Sequence, residues 1–202
     1  MIITFSGLDG SGKTTLIRCL EKYFDSNKIS YNSSSIYGQL SIYAMIRNLR
    51  SLSSKDNERA NTEKKDNSTT YKFFRSRNAK KFFLLIDIII LSFVKLYYSF
   101  SKKILIIDRY FFDFLMEVTD DIRLYQRFVC FLFPTPSLSF FIETDPILAF
   151  NRKGEYDIEI LTNRRKIYNK IFKYRSIDYI INNNDNTNAE EELIKIIKLE
   201  LK

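Results

Sequence analysis

The 202-residue chain has no histidine and no tryptophan, two cysteines, three prolines and five glycines. Without histidine, no Cys/His metal motif is possible. Cys19 and Cys130 each lie in an apolar helical pattern and are read as reduced core residues of a cytosolic protein. No block of basic residues accounts for the net charge of +8. The excess suits an anionic partner, and nucleic acid or an acidic membrane surface would also satisfy it. Spread as it is, it reads as compositional, and no nucleic-acid partner is expected. No secretory signal is expected either, because an apolar strand starts at Ile2. One long apolar run exists, Phe82–Phe100 (FFLLIDIIILSFVKLYYSF), nearly long enough to span a bilayer. Asp87 and Lys95 lie inside it and are costly in lipid, so it is read as a buried helix beside a sheet, with membrane attachment the alternative. At 45% apolar and 28% charged residues, a single soluble domain over 1–202 is expected.

Glycine is scarce but clustered: three of the five fall between residues 7 and 12. Gly7-Leu8-Asp9-Gly10-Ser11-Gly12-Lys13-Thr14 is a complete G-x-x-x-x-G-K-[ST] phosphate-binding loop, the P-loop or Walker A motif. The glycines let backbone N–H groups surround an anion, and the next helix starts at the phosphates with its positive dipole end. Lys13 would reach the β- and γ-phosphates, and the Thr14 hydroxyl would sit on Mg²⁺. The flanks agree. Ile2-Ile3-Thr4-Phe5 reads as a buried parallel strand, and Leu16, Cys19, Leu20, Tyr23 and Phe24 share one helical face.

Further along, residues 29–36 read as a second strand ending at Gly38, and 39–49 as a helix. Residues 51–70 are polar and low in complexity, a mobile insertion. A long helix is expected over about 71–100. Lys103-Ile104-Leu105-Ile106-Ile107-Asp108 reads as a central parallel strand with Asp108 at its carboxyl end. Residues 111–133 read as helical, 138–142 as a strand, and Thr144-Asp145-Pro146 as a capped helix start. A helix over about 158–174, a strand over 177–181 and a final helix capped by Thr187 complete the chain. Alternating strands and helices predict an α/β, three-layer P-loop NTPase fold with a parallel, roughly five-stranded central sheet. The ligand is expected outside the carboxyl ends of the strands, where the P-loop and Asp108 both fall.

Phe5-Ser6-Gly7-Leu8-Asp9-Gly10-Ser11-Gly12-Lys13-Thr14-Thr15 resembles the P-loop of thymidylate kinases, and Asp108-Arg109-Tyr110 is similar to their Asp-Arg-Tyr motif. Residues 140–146, then Arg152-Lys153-Gly154, resemble the strand, helix and lid (about 152–160) that follow in the same order. Arg165 and Tyr168 match an Arg-x-x-Tyr on the next helix, and Ile177-Asp178 resembles the last strand, whose following loop cups adenine. The resemblance covers nearly the whole chain. It implies an ATP- and Mg²⁺-dependent transfer of a phosphoryl group to a nucleoside monophosphate of the dTMP type in the cytoplasm. Gly7 to Thr15 would hold ATP, with Thr14 and Asp108 toward the metal. Asp9 would meet the sugar 3′-hydroxyl of the acceptor, Arg109 would clamp the acceptor phosphate, and Arg152 would close over the transferring group. The family pairs as dimers through long apolar helices, which implies a homodimer through 82–100.

The departures fall on the acceptor. Where the family has an Asp-Arg pair on the long helix, Asp87 is followed by Ile88; Asp113 and Val118 replace a serine and a glutamine; and Ile36-Tyr37-Gly38-Gln39 replaces an Arg-Pro segment. Asp87 is either a buried acid bonded to a lysine or backbone group, or a carboxylate facing the acceptor. Asp113 either orients Arg109 or is a solvated first-turn acid. A nucleoside, sugar or lipid-linked acceptor, and a non-catalytic nucleotide-binding module, stay open.

Overall fold

The computed structural model describes residues 1–35, 77–110, 113, 128, 130–184 and 188–201, with the backbone alone for 77–84. The helix expected at 39–49, the polar insertion, the start of the long helix, most of 111–133 and the Thr187 cap lie outside the described residues.

Five strands, β1 (Ile2–Gly7), β2 (Tyr31–Ser35), β3 (Ile104–Asp108), β4 (Leu138–Glu143) and β5 (Tyr179–Asn182), form one sheet in the order β2-β3-β1-β4-β5. Every pairing is parallel; Phe5 sits opposite Asp108 on one side and Phe140 on the other. The described helices are α1 (Lys13–Ser26), α2 (Arg77–Phe100), α3 (Pro146–Lys153), α4 (Ile158–Phe172) and α5 (Ala189–Glu200).

Side-chain alternation along the strands builds two cores. Ile3, Phe5, Ile104, Ile106 and Phe140 point to the face covered by Leu16, Leu20 and Phe24 of α1 and Leu193 and Ile197 of α5. Ile2, Leu105, Ile107 and Phe141 point to the other, against Ile88 and Leu91 of α2 and Tyr168 and Ile171 of α4. Continuous apolar runs in β1, β3 and β4 are thus required by burial on both faces. The fold is the expected three-layer α/β arrangement with a parallel five-stranded sheet. Tyr-Asn-Ser-Ser-Ser can serve as β2 because it is an edge strand, with Asn32 Nδ2 donating to the Tyr98 hydroxyl at 2.6 Å.

Local chemistry sets several boundaries. Asp145 caps α3, its Oδ1 accepting from Ile147 N at 2.9 Å, with Pro146 in the first turn and Gly154 in the left-handed region at φ 62° ending it. β5 starts at Tyr179 rather than 177, because Asp178 accepts from Ser139 N (2.8 Å) and Oγ (2.6 Å), and its own N donates to Ser139 Oγ before the ladder begins. Asn188 occupies the position before α5 and makes no side-chain cap bond.

Two expectations need correction. Cys130 is buried, but Cys19 is only half-buried, at the edge of the α1–α5 layer. Helix α2 is not enclosed as a core helix would be. Asp87, Ile88, Leu91 and Tyr98 are buried, while Ile89, Phe93, Leu96, Tyr97 and Phe100 are exposed, Phe100 to 85%. Its apolar residues run round both faces and the sheet covers only one. Among the described residues no helix is long and apolar enough to cross a membrane.

Candidate functional site

The site grows from the point where β1 stops. Gly10 and Gly12 have φ of 86° and 90°, and both let neighbours press on the loop: a Cβ at Gly10 would stand 2.2 Å from Ala149 O, and at Gly12 2.3 Å from Asn183 Nδ2. The loop is anchored from two strands. Ser11 O accepts from Asn183 Nδ2 at 2.8 Å and from Thr144 Oγ1 at 3.3 Å. No side chain caps α1, so its leading N–H groups stay aimed at the strand ends, as an anion site needs.

Lys13 is buried, and its Nζ donates to Gly7 O (2.9 Å) and Leu8 O (2.7 Å). Burial pulls the Lys13 ammonium below the ordinary lysine range, against Asp113, Asp9 and Asp108. Thr14 and Thr15 are exposed at the mouth.

Asp108 ends β3, and its buried Oδ1 has no hydrogen-bond partner among the described residues. A buried carboxylate oxygen left so asks for a cation or a water. Arg109 follows with φ 64°, unusual for a side chain of its size, while its N continues the ladder to Phe5 O at 2.9 Å. The turn this makes sends the guanidinium back over the P-loop, where Nη2 donates to Asp9 Oδ1.

Asp9 collects cations. It is 5% exposed, with Arg109 on Oδ1, Arg164 Nη1 on Oδ2 at 2.7 Å and Lys153 Nζ 3.8 Å from Oδ1. Burial pushes the Asp9 carboxyl up, but Arg109, Lys13 and Arg164 together outweigh it and hold it below the usual carboxylate range. A cleft of about 270 Å³ opens here, lined by Asp9, Gly10, Gly12, Lys13, Thr14, Thr15, Asp108, Arg109, Arg152 and Lys153. Arg109, Arg152, Lys153 and Lys13 thus face one cavity with two carboxylates, a balance that calls for anions.

A stretch of 55 residues, 27% of this chain, is 42% identical to a thymidylate kinase of Clostridium novyi (strain NT) and spans 26% of that protein, about a quarter of its length. No protein-family profile matches the chain. The crystal structure of thymidylate kinase from Ehrlichia chaffeensis superposes with a TM-score of 0.59 at 19% identity, covering 100% of this chain and 98% of that one. The chain has a thymidylate kinase-like fold.

Within this thymidylate kinase-like fold, the basic residues at the end of α3 and on α4 behave differently from one another. Arg152 at the end of α3 donates to Asn183 O (2.9 Å) and Asn184 O (3.2 Å), the loop after β5. Lys153 is half-exposed and pairs with Glu155 at 2.6 Å. On α4, Arg165 pairs with Glu143, whereas Arg164 turns to Asp9 and lies 4.0 Å above the centre of the Tyr156 ring. Arg164 was not among the residues singled out by sequence. Both arginines lie within one helical turn of Leu161 and Tyr168, so spacing does not separate them.

The two acids expected near the acceptor are internal. Asp113 is 1% exposed; its Oδ1 lies 2.7 Å from the Tyr168 hydroxyl and its Oδ2 accepts from Tyr110 N at 3.2 Å. It is not a solvated first-turn acid. Burial raises its carboxyl above the usual range, opposed by Lys13, Arg109 and Tyr168. Tyr168, itself buried, also lies 3.2 Å from Gly7 O, so Asp113 and Tyr168 join the P-loop to α4 from beneath. Asp87 is 3% exposed on the covered side of α2. Neither acid is among the described residues lining the cleft.

Proposed function

We propose that the chain is an ATP- and Mg²⁺-dependent phosphotransferase acting on a small anionic acceptor, a nucleoside monophosphate of the dTMP type. The observation that supports it is the single cleft in which the P-loop backbone, Lys13, Thr14, Asp108, Arg109, Arg152 and Lys153 meet. The residues fit a divalent cation: Asp108 offers an unpartnered buried oxygen and Thr14 an exposed hydroxyl beside the phosphate loop. Mg²⁺ held there would neutralise phosphate charge.

In this reading the P-loop N–H groups and the Lys13 ammonium hold the triphosphate, and Lys13 exchanges its carbonyl partners for phosphate oxygens. Arg109 fixes the acceptor phosphate. An acceptor phosphate oxygen attacks the γ-phosphorus; its new O–P bond forms as the bond to the β–γ bridging oxygen breaks, and ADP leaves with that electron pair. The protein's part is placement and charge, which is what this chemistry needs. A cleft beside the first, lined by Thr14, Ile17, Arg18, Glu21, Ser33, Ser34, Ser35 and Asp108, offers four hydroxyls and favours a second reading, in which the acceptor is a hydroxylated nucleoside or sugar. The soluble setting and homodimer implied by the resemblance belong to the proposal.

The test is Lys13→Ala with labelled ATP and a panel of acceptors, alongside calorimetric ATP binding. We expect turnover to fall by about 10²-fold or more. Unchanged binding and turnover in Lys13→Ala would overturn the reading. Transfer to dTMP selects the monophosphate acceptor, and transfer to a nucleoside or sugar selects the second reading.

A further inference from the structure

We infer that Asn183, in the loop after β5, is a positioning residue for the phosphates: with Thr144 it holds the Ser11 carbonyl away from the cleft and so turns the Gly12 N–H into it. The inference rests on the phosphotransferase reading and deepens it. The resemblance gives the loop after β5 to adenine. The bonds of Asn183 give the same loop a hold on the other end of the nucleotide.

No peptide bond among the described residues is cis, so the Ser11 carbonyl and the Gly12 N–H point in opposite directions from one plane. Ser11 O accepts from Asn183 Nδ2 at 2.8 Å and from Thr144 Oγ1 at 3.3 Å. Gly12 lines the cleft, whereas neither donor is among the described residues that do. The carbonyl is therefore held on the far side, and the N–H of the same peptide faces the place of the phosphates. Among the described residues no backbone carbonyl accepts from Gly12 N, which leaves that donor for an anion. Gly12 immediately precedes α1, so its N–H adds to those of the helix start. Two donors on one carbonyl also polarise the peptide and strengthen its N–H.

Asn183 is fixed firmly enough for this task. It is 6% exposed; its N donates to Glu143 O at 2.9 Å and its O accepts from Arg152 Nη1 at 2.9 Å. Its amide lies over Gly12, so little rotamer freedom remains to be lost when a ligand arrives. Thr144 is equally enclosed. Leu8 O, by contrast, accepts from Lys13 Nζ at 2.7 Å, a bond given up when Lys13 turns to phosphate. Ser11 O keeps its two donors with or without a nucleotide, so the Gly12 N–H is aimed before binding.

The test uses the full chain with Mg²⁺ and fluorescent N-methylanthraniloyl-ADP. The probe is displaced by ADP and, separately, by inorganic tripolyphosphate, which has phosphates and no base. Asn183→Leu, which keeps the bulk and removes the donor, should weaken both competitors about tenfold and by similar factors. Thr144→Val should weaken both about threefold, and Thr144→Ser, which keeps the hydroxyl, should stay within about twofold of wild type. The double variant Asn183→Leu/Thr144→Val should lose more than the product of the single losses, because only then is the buried carbonyl without a donor. With labelled ATP the loss should fall on KM more than on kcat, as for a contact made equally before and during transfer. Melting curves establish that each variant is folded, and Asn183→Ala replaces Asn183→Leu if that one is not. Weakened ADP with unchanged tripolyphosphate would make Asn183 a base contact and overturn the inference, as would unchanged affinity for both. Tripolyphosphate that displaces nothing from a wild type that binds the probe also counts against it. A wild type that binds no probe overturns the phosphotransferase reading itself.

Discussion

Asp9 and Asp113 are buried carboxyls beside the same loop, displaced in opposite directions. Asp9 is held down by Arg109, Lys13 and Arg164 despite its burial, so its charged form stabilises the fold above the unfolded value of about 3.9, and that contribution is lost as pH falls through its lower folded value. Asp113 is pushed up by burial, so the folded state binds its proton more readily than the unfolded one. Its contribution grows as pH falls from its raised folded value toward about 3.9 and is unfavourable above both. The two asparagine variants should therefore have opposite pH signatures in thermal melts from pH 3 to 8. Relative to wild type, Asp9→Asn should lose about 2 kcal/mol at neutral pH, as Arg109 and Arg164 lose a charged acceptor, and the deficit should shrink below about pH 4. Asp113→Asn should compare better with wild type at pH 8 than at pH 4. Parallel pH curves for the two variants would refute this assignment. Residues of this kind divide by how local their signal is. Lys13, Thr14 and the loop glycines are legible because a phosphate cradle needs them at fixed spacing, and Asp108 because it ends an apolar run. Arg164 and the burial of Asp113 are decided by contacts more than fifty residues away in sequence, which no local pattern carries.

Helix and strand starts follow the same division. Asp145-Pro146 announces α3 through its own cap chemistry, and the cap forms as read. Asp145→Ala should cost about 1 kcal/mol of stability, a drop of about 2–4 °C in melting temperature, measurable by calorimetry. A loss above about 3 kcal/mol would mean that the side chain does more than cap, since the bond its backbone N donates to Asn184 Oδ1 at 2.8 Å survives in alanine. β5 starts two residues later than its sequence suggests because Asp178 and Ser139, 39 residues apart, bond side chain to backbone between neighbouring strands, a pairing invisible to periodicity. Helix α2 shows a third case. Its composition announces burial, yet only the sheet-facing side receives it, leaving Phe93, Tyr97 and Phe100 in solvent.

The cleft joins the carboxyl ends of β1 and β3 to the end of α3, so a bound nucleotide would touch all three at once. Ligand that binds only the folded state raises stability by mass action. At about 100 times its dissociation constant, ATP with Mg²⁺ should add about 2.7 kcal/mol, or about 5–10 °C in melting temperature. Chelation of the metal should shrink that shift without abolishing it, since Lys13 and the loop N–H groups need no metal. A shift unaffected by chelation would argue against Asp108 as a metal residue, and no shift at all against nucleotide binding. The Ser11 carbonyl bears on the molecule in a further way. Its two side-chain donors, Thr144 and Asn183, lie 133 and 172 residues further along the chain. The phosphate cradle is encoded by one short loop but is clamped by groups that a ribosome makes more than a hundred residues later. During synthesis the loop would emerge and wait, and the fully clamped cradle would form only once Asn183 had been made.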